Sequence, residues 1–290
     1  MLAEADVLVE GFRPGVMERL GLGPEAVAAR NPRLVYGRMT GWGQEGPLSQ
    51  AAGHDINYIA LAGALAAIGE PGGAPVPPLN LVGDYGGGSL YLVVGILAAV
   101  LEGRRSGRGQ VVDAAITDGV VSLMSLFQVQ SLRGSYREQR GANVLDGGAP
   151  YYGAYETADG GHVSLGPIEP KFFELLCDKL ELPQSLRDAQ NDRARWPALR
   201  EAIAARIKAR TRDAWCELLE GTDVCFAPVL PLSEAAQHAH LRARRAFVEV
   251  DGVVHTAPAP RFSRTPSAIQ GPAPQAAVSS QQVLARWRAA

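Results

Sequence analysis

The chain has 290 residues, 47% of them apolar and 20% charged, with a formal net charge of −2. That is enough for one large domain or two smaller ones around a substantial core, and the near-neutral charge gives no general attraction to nucleic acid or an anionic membrane. The three cysteines, Cys177, Cys216 and Cys225, form no Cys-x-x-Cys pair, which argues for a reducing compartment and against a disulfide framework or a zinc site.

The acidic residues 1–6 do not read as a signal peptide. The longest apolar run, residues 90–101, is too short to span a bilayer, so a soluble cytoplasmic protein is expected. Residues 5–10 read as a buried strand. A buried parallel strand needs neighbours on both sides, so this one is either an edge strand or has lost a neighbour. Arg13-Pro14-Gly15-Val16 places a proline to open a helix. A helix over residues 24–30 leads to a strand at 33–39. Residues 41–47 are a glycine- and proline-marked loop, 55–68 an apolar helix, and 69–78 a Gly/Pro-rich connection. Residues 89–102 are apolar almost all round, as in a buried helix, which ends at Gly103 and the basic stretch Arg104, Arg105 and Arg108. Residues 110–115 return as a strand. Strand–helix alternation of this kind builds parallel βαβ units, and no internal repeat is visible.

After a helical stretch near 119–132, composition changes across residues 140–143 and 147–150, where a domain boundary is placed. Residues 151–165 read as a hairpin with its turn at 158–161. Helices follow over 170–180, 196–209 and 211–219, then an extended segment at 257–266. A last helix, 280–288, is expected to pack back on the first domain.

Two stretches carry chemistry. In Gly53-His54-Asp55-Ile56-Asn57-Tyr58, His54 is either a helix-start cap or an acid–base group, since its ordinary pKa lies near neutrality. The flanking Gly53, Asp55 and Asn57 favour a ligand-facing loop. In Gly83-Asp84-Tyr85-Gly86-Gly87-Gly88-Ser89, Asp84 reads as standing at the mouth of a helix. It is either an N-cap or a carboxyl beside glycine-bared amides able to hold an anion or an enolate oxygen. The run fits neither the dinucleotide fingerprint nor a P-loop. A histidine and an aspartate on opposite sides of one carbon can take a proton from one face and return it to the other.

Other candidates are weaker. Glu169, before a helix, reads as a first-turn acid, and no spacing pairs it with a distant histidine. Arg13, Arg19 and Arg38 are either solvated or phosphate-binding forks. Asp118 is a helix cap or a buried partner to an arginine.

Taken in chain order, Glu10 to Val16, Gly37 to Gln44, Gly53 to Ile59, Asn80 to Asp84, Gly107 to Asp113, Asp146 to Tyr152 and Ile168 to Pro170 resemble the class III CoA-transferase (CaiB/BaiF) superfamily and, within it, its α-methylacyl-CoA racemases. The resemblance implies an α/β fold with an open Rossmann-like large domain from residues 1–115 plus 255–290. It implies a linker over 116–150, a smaller α+β domain over 151–254, and an interlocked homodimer. It implies acyl-CoA substrates branched by a methyl at the α carbon, with His54 and Asp84 as the two proton carriers. Glu169, contributed by the other subunit, would orient or charge-balance His54. Arg19 would lie near the CoA phosphates, and Gly53, Asp55, Ile56, Asn57 and Tyr58 would form the substrate loop, with Asp118 and Tyr152 nearby. No metal or redox cofactor is implied, CoA being part of the substrate, and neither nucleic acid nor membrane is a partner.

Removing an α proton from a thioester needs enolate stabilisation as well as a base, and Asp84 can hold a proton only if burial raises its pKa. Family members carry a strand, a helix and an arginine-bearing region ahead of the position matching Met1, so the large domain is expected to lack its first βαβ unit. The alternatives are a class III CoA-transferase using Asp84 as the acyl-accepting nucleophile and an inactive truncated homologue.

Overall fold

The computed structural model describes residues 1–269, 271 and 277–289. The chain divides into two compact units, Met1–Pro150 and Tyr151–Ala290. The division falls where the composition changes.

The first unit is built on a parallel sheet of order β1-β2-β3: Val7–Glu10, Val35–Thr40 and Val111–Ala115. Val7 faces Val35 at the start of one pair and Tyr36 faces Val111 at the start of the other. β1 is an edge strand of this sheet. Two short helices, α1 (Val16–Arg19) and α2 (Pro24–Ala28), connect β1 to β2; α2 opens on Pro24, whereas Pro14, expected to open a helix, stands ahead of the α1 N-cap Gly15. Ala5, Met17, Val27, Leu34 and Tyr36 form the core under them.

After β2 come α3 (Asp55–Leu61), a π-helical segment (Leu81–Ser89) and α4 (Leu90–Ser106), which lies on β2 and β3. The π-helical segment and α4 are continuous, so the element is 26 residues long, enough by length and composition to cross a membrane, and longer than the apolar run alone indicated. Its Leu92, Ala99 and Gly103 are buried, whereas much of its other face is exposed.

Two helices follow β3, α5 (Ile116–Leu123) and α6 (Ser125–Leu132). Residues 116–150 are therefore not a linker. Ile116 and Val120 of α5 share a core with Tyr58, Ile59 and Ala64, and the whole stretch belongs to the first unit.

The second unit holds an antiparallel sheet of order β4-β5-β6, at Gly153–Glu156, His162–Leu165 and Phe226–Val229. The hairpin between β4 and β5 is the expected one, with Glu156 opposite His162. β6 was not legible in the sequence. It carries Pro228, which an edge strand tolerates and a central strand does not.

Helices α7 (Pro170–Lys179), α8 (Gln184–Arg187), α9 (Trp196–Ile207) and α10 (Arg212–Leu219) precede β6. Their Phe173, Leu176, Leu199, Ile203, Ile207 and Leu219 are fully buried. α11 (Leu232–Ala235), α12 (Ala239–Ala243), a hairpin of β7 (Phe247–Val250) and β8 (Val253–Thr256), and α13 (Ser280–Ala289) complete the chain. The β7–β8 turn is Asp251-Gly252, both at positive φ (52° and 76°), the favoured two-residue hairpin turn. Residues 255–290, expected with the large domain, group with the second unit. Gln270, 272–276 and Ala290 lie outside the described residues.

Candidate active site

His54 is the N-cap of α3, with extended backbone (φ −134°) and an exposed side chain. Its N–H donates to Asn57 Oδ1 at 3.0 Å, and the Asn57 N–H returns to the His54 carbonyl at 2.8 Å. Asn57 thus closes the first turn of α3 with its side-chain oxygen, a capping role. Ile56 is exposed.

Tyr58 is buried, edge-on to Trp42 at 4.8 Å between ring centroids, and its hydroxyl donates to the Gly53 carbonyl. Burial, and then the charge of Asp84, push its phenol above the ordinary range, while Arg13 acts the other way. Tyr58 therefore supports the His54 loop from beneath, and both Asp84 and Arg13 lie within electrostatic reach of it.

Asp55, read from sequence as part of a ligand-facing loop, is buried and turned inward. Its Oδ1 accepts the Asp84 N–H at 2.7 Å. This bond ties the segment bearing His54 to the segment bearing Asp84.

Asp84 is not an N-cap. It lies in the first turn of the π-helical segment, half-buried, with Asn80 Nδ2 donating to its Oδ2 at 3.2 Å and Ser89 Oγ donating to its carbonyl at 2.9 Å. The amides expected to hold an oxyanion here are already used: that of Asp84 by Asp55, and that of Tyr85 by the Asn80 carbonyl at 3.3 Å. A helix start leaves its first amides without intrahelical partners. In α3 these belong to Asp55 and Ile56, immediately after His54.

The arginines separate clearly. Arg38 is buried and fully engaged: Nε meets Glu10 Oε1 at 2.8 Å, and its two terminal nitrogens meet Glu18 at 2.8 and 3.3 Å. No fork remains for a phosphate. The bond from Arg38 holds the Glu18 carboxyl below its ordinary range. Arg19, at the end of α1, is exposed. Asp118 is exposed in the first turn of α5, not a buried partner to an arginine.

In the second unit, Glu169 is the exposed residue preceding α7, its carbonyl accepting from Phe172 N–H at 3.0 Å, and Tyr152 is half-buried. A cleft of about 570 Å³, lined by Ala62, Ala66, Met124, Phe127 and Leu132 among others, opens beyond the C-terminal end of α3.

The open parallel sheet thus carries beside it two segments, bearing His54 and Asp84, tied through the Asp84–Asp55 bond. The chain belongs to CoA-transferase family III, whose model matches residues 1–277. It is 46% identical over 269 residues to the α-methylacyl-CoA racemase of Mus musculus, covering 92% of this chain and 70% of that protein. It is 43% identical to the α-methylacyl-CoA racemase of Homo sapiens over 91% and 69% of the two chains. Among solved structures, a CaiB/BaiF family protein from Brucella suis superposes with a TM-score of 0.81 at 25% identity, over 99% of this chain and 76% of that one.

Proposed function

We propose that this protein is a racemase of 2-methylacyl-CoA thioesters, interconverting the (2R) and (2S) forms through an enolate. In one direction neutral His54 takes the α proton: the C–H bond breaks, an N–H bond forms, and the electron pair passes to the thioester oxygen. Protonated Asp84 then gives its proton to the opposite face of the α carbon. In the other direction the roles exchange. The first-turn amides of α3, at Asp55 and Ile56, are proposed to meet the enolate oxygen, where fixed donors are most effective. Both proton carriers are side chains and CoA is part of the substrate, so the scheme uses no separate cofactor.

The observation that carries this reading is the bond from Asp84 N–H to Asp55 Oδ1, which brings the His54 and Asp84 segments together. The racemase relatives support the substrate class. The cleft beyond α3, with Met124, Phe127 and Leu132 on part of its wall and Glu138 and Arg140 on another, is proposed to take the acyl chain. Exposed Arg19, at the end of α1, is free to meet CoA phosphates. Asp118 and Tyr152 are proposed to lie near the substrate. A homodimer is part of the proposal, because much of the outer face of α4 is apolar and uncovered. Within such a dimer Glu169 of one copy would orient His54 of the other. A cytoplasmic location agrees with the free cysteines.

The test is deuterium exchange and inversion at the α carbon of each 2-methylacyl-CoA enantiomer in heavy water. Exchange with inversion by the unaltered chain, falling by about a thousandfold or more in His54→Ala and Asp84→Asn, is expected from loss of a proton carrier. The second reading, CoA transfer through Asp84 as nucleophile, is favoured by the family match itself. There the carboxylate attacks the thioester carbonyl and CoA thiolate leaves. That reading predicts CoA transfer to an added carboxylate, with release of the donor acid, that survives His54→Ala.

A further inference from the structure

Asp55 is 6% exposed, and a carboxylate removed from water this far is costly unless its partners compensate. Only one of its oxygens has a partner among the described residues. Oδ1 accepts the Asp84 N–H at 2.7 Å, while Oδ2 is buried without a hydrogen bond. The neighbouring backbone is shaped around it. A Cβ at Gly83 would come within 2.3 Å of Asp55 Oδ1, so only glycine allows the Asp84 peptide this close. A neutral side chain would satisfy one amide with less desolvation. What the carboxylate adds is strength, since bonds to an ionised acceptor are shorter and roughly twice as strong.

The consequence is geometric. The Asp84 backbone is held on both sides, its N–H by Asp55 and its carbonyl by Ser89 Oγ. Asp55 directly follows His54, whose own N–H is fixed by Asn57 Oδ1. One buried carboxylate thus links the backbones of the two proton carriers.

We propose that Asp55 is a positioning residue for the proton transfer: its carboxylate fixes the Asp84 turn against the His54 turn and so sets where the Asp84 carboxyl stands. The proposal rests on the two-base reading above.

The test uses Asp55→Ala, which removes the acceptor, and Asp55→Asn, which keeps an oxygen of the same shape. Each enantiomer is incubated separately in heavy water, and inversion and α-deuterium incorporation are followed together. The enantiomer deprotonated by His54 can be redeuterated by His54, without Asp84. In Asp55→Ala its inversion should therefore fall by about a hundredfold, the scale of a small misplacement of a reacting group, while its exchange falls by less than about tenfold. The other enantiomer should lose both. Asp55→Asn should stay within about tenfold of the unaltered chain on every measure. If Asp55→Ala does not fold, Gly83→Ala, which pushes a methyl against the same carboxylate, must give the same split.

The Asp84 amide provides a readout independent of turnover. Its proton should exchange slowly with solvent in the unaltered chain and about tenfold faster in Asp55→Ala. An active chain in which inversion and exchange of the enantiomer deprotonated by His54 fall in parallel, or in which Asp55→Ala leaves both intact, overturns the positioning role alone. A chain with no α-proton exchange at all overturns that role together with the racemase reading, even if the Asp84 amide is protected.

Discussion

At the scale of single residues, neighbours decide use. Arg38 has the same chemistry as Arg19, yet its guanidinium sits between Glu10 and Glu18, and the side chains of Arg38 and Glu10 are almost wholly buried. Removing the arginine would leave the Glu10 carboxylate buried without its ion pair. Arg38→Ala is therefore expected to destabilise the chain by about 3–5 kcal/mol, read as a lower urea midpoint. Arg38→Lys should recover only part of this, because an ammonium cannot reproduce the planar fork.

At the scale of elements, the site depends on how closely helices approach. α5 and the π-helical segment meet backbone to backbone: a Cβ at Gly119 would lie 1.8 Å from the Gly87 carbonyl oxygen. Gly119→Ala must push the two apart. The expected cost is about 1–3 kcal/mol of stability, with slower racemisation because the Asp84 turn moves with Gly87. Denaturation curves and turnover, measured on the same variant, check both.

In the second unit, burial within β4 pushes the Tyr155 phenol up to about 12. The folded chain keeps this proton where the unfolded chain, with an ordinary tyrosine near 10, has lost it. Unfolding then releases a proton, so stability is full below about pH 10 and falls as pH rises toward 12. The loss reaches roughly 3 kcal/mol, at about 1.4 kcal/mol per pKa unit. Tyr155→Phe should remove this alkaline fall, which denaturant titrations at pH 9 and 11 would reveal.

At the scale of the whole molecule, the uncovered side of α4 is the main feature. Leu90, Val94, Leu97 and Leu101 are 62%, 67%, 59% and 64% exposed along one helix. The proposed homodimer of two 30.7 kDa chains should sediment at about 61 kDa, and Val94→Asp with Leu97→Asp should shift it toward one chain. Sedimentation of the unaltered protein at 30.7 kDa would count against the dimer.

Much of this was legible in the sequence. The period of apolar residues marked β1 to β3, α4 and the β4–β5 hairpin, because local backbone preference and one-sided burial leave a pattern in the chain itself. The Asp251-Gly252 turn is legible in the same way. The residue types of His54 and Asp84 announced proton chemistry. Their relation did not show, because it runs through a bond between residues 29 apart, Asp84 to Asp55. Nor did the fate of Arg38, which depends on Glu10 reaching it across two paired strands. Sequence alone determined which residues are able to carry a proton. Tertiary structure decided which are held together, because burial and hydrogen bonding are properties of neighbours in space.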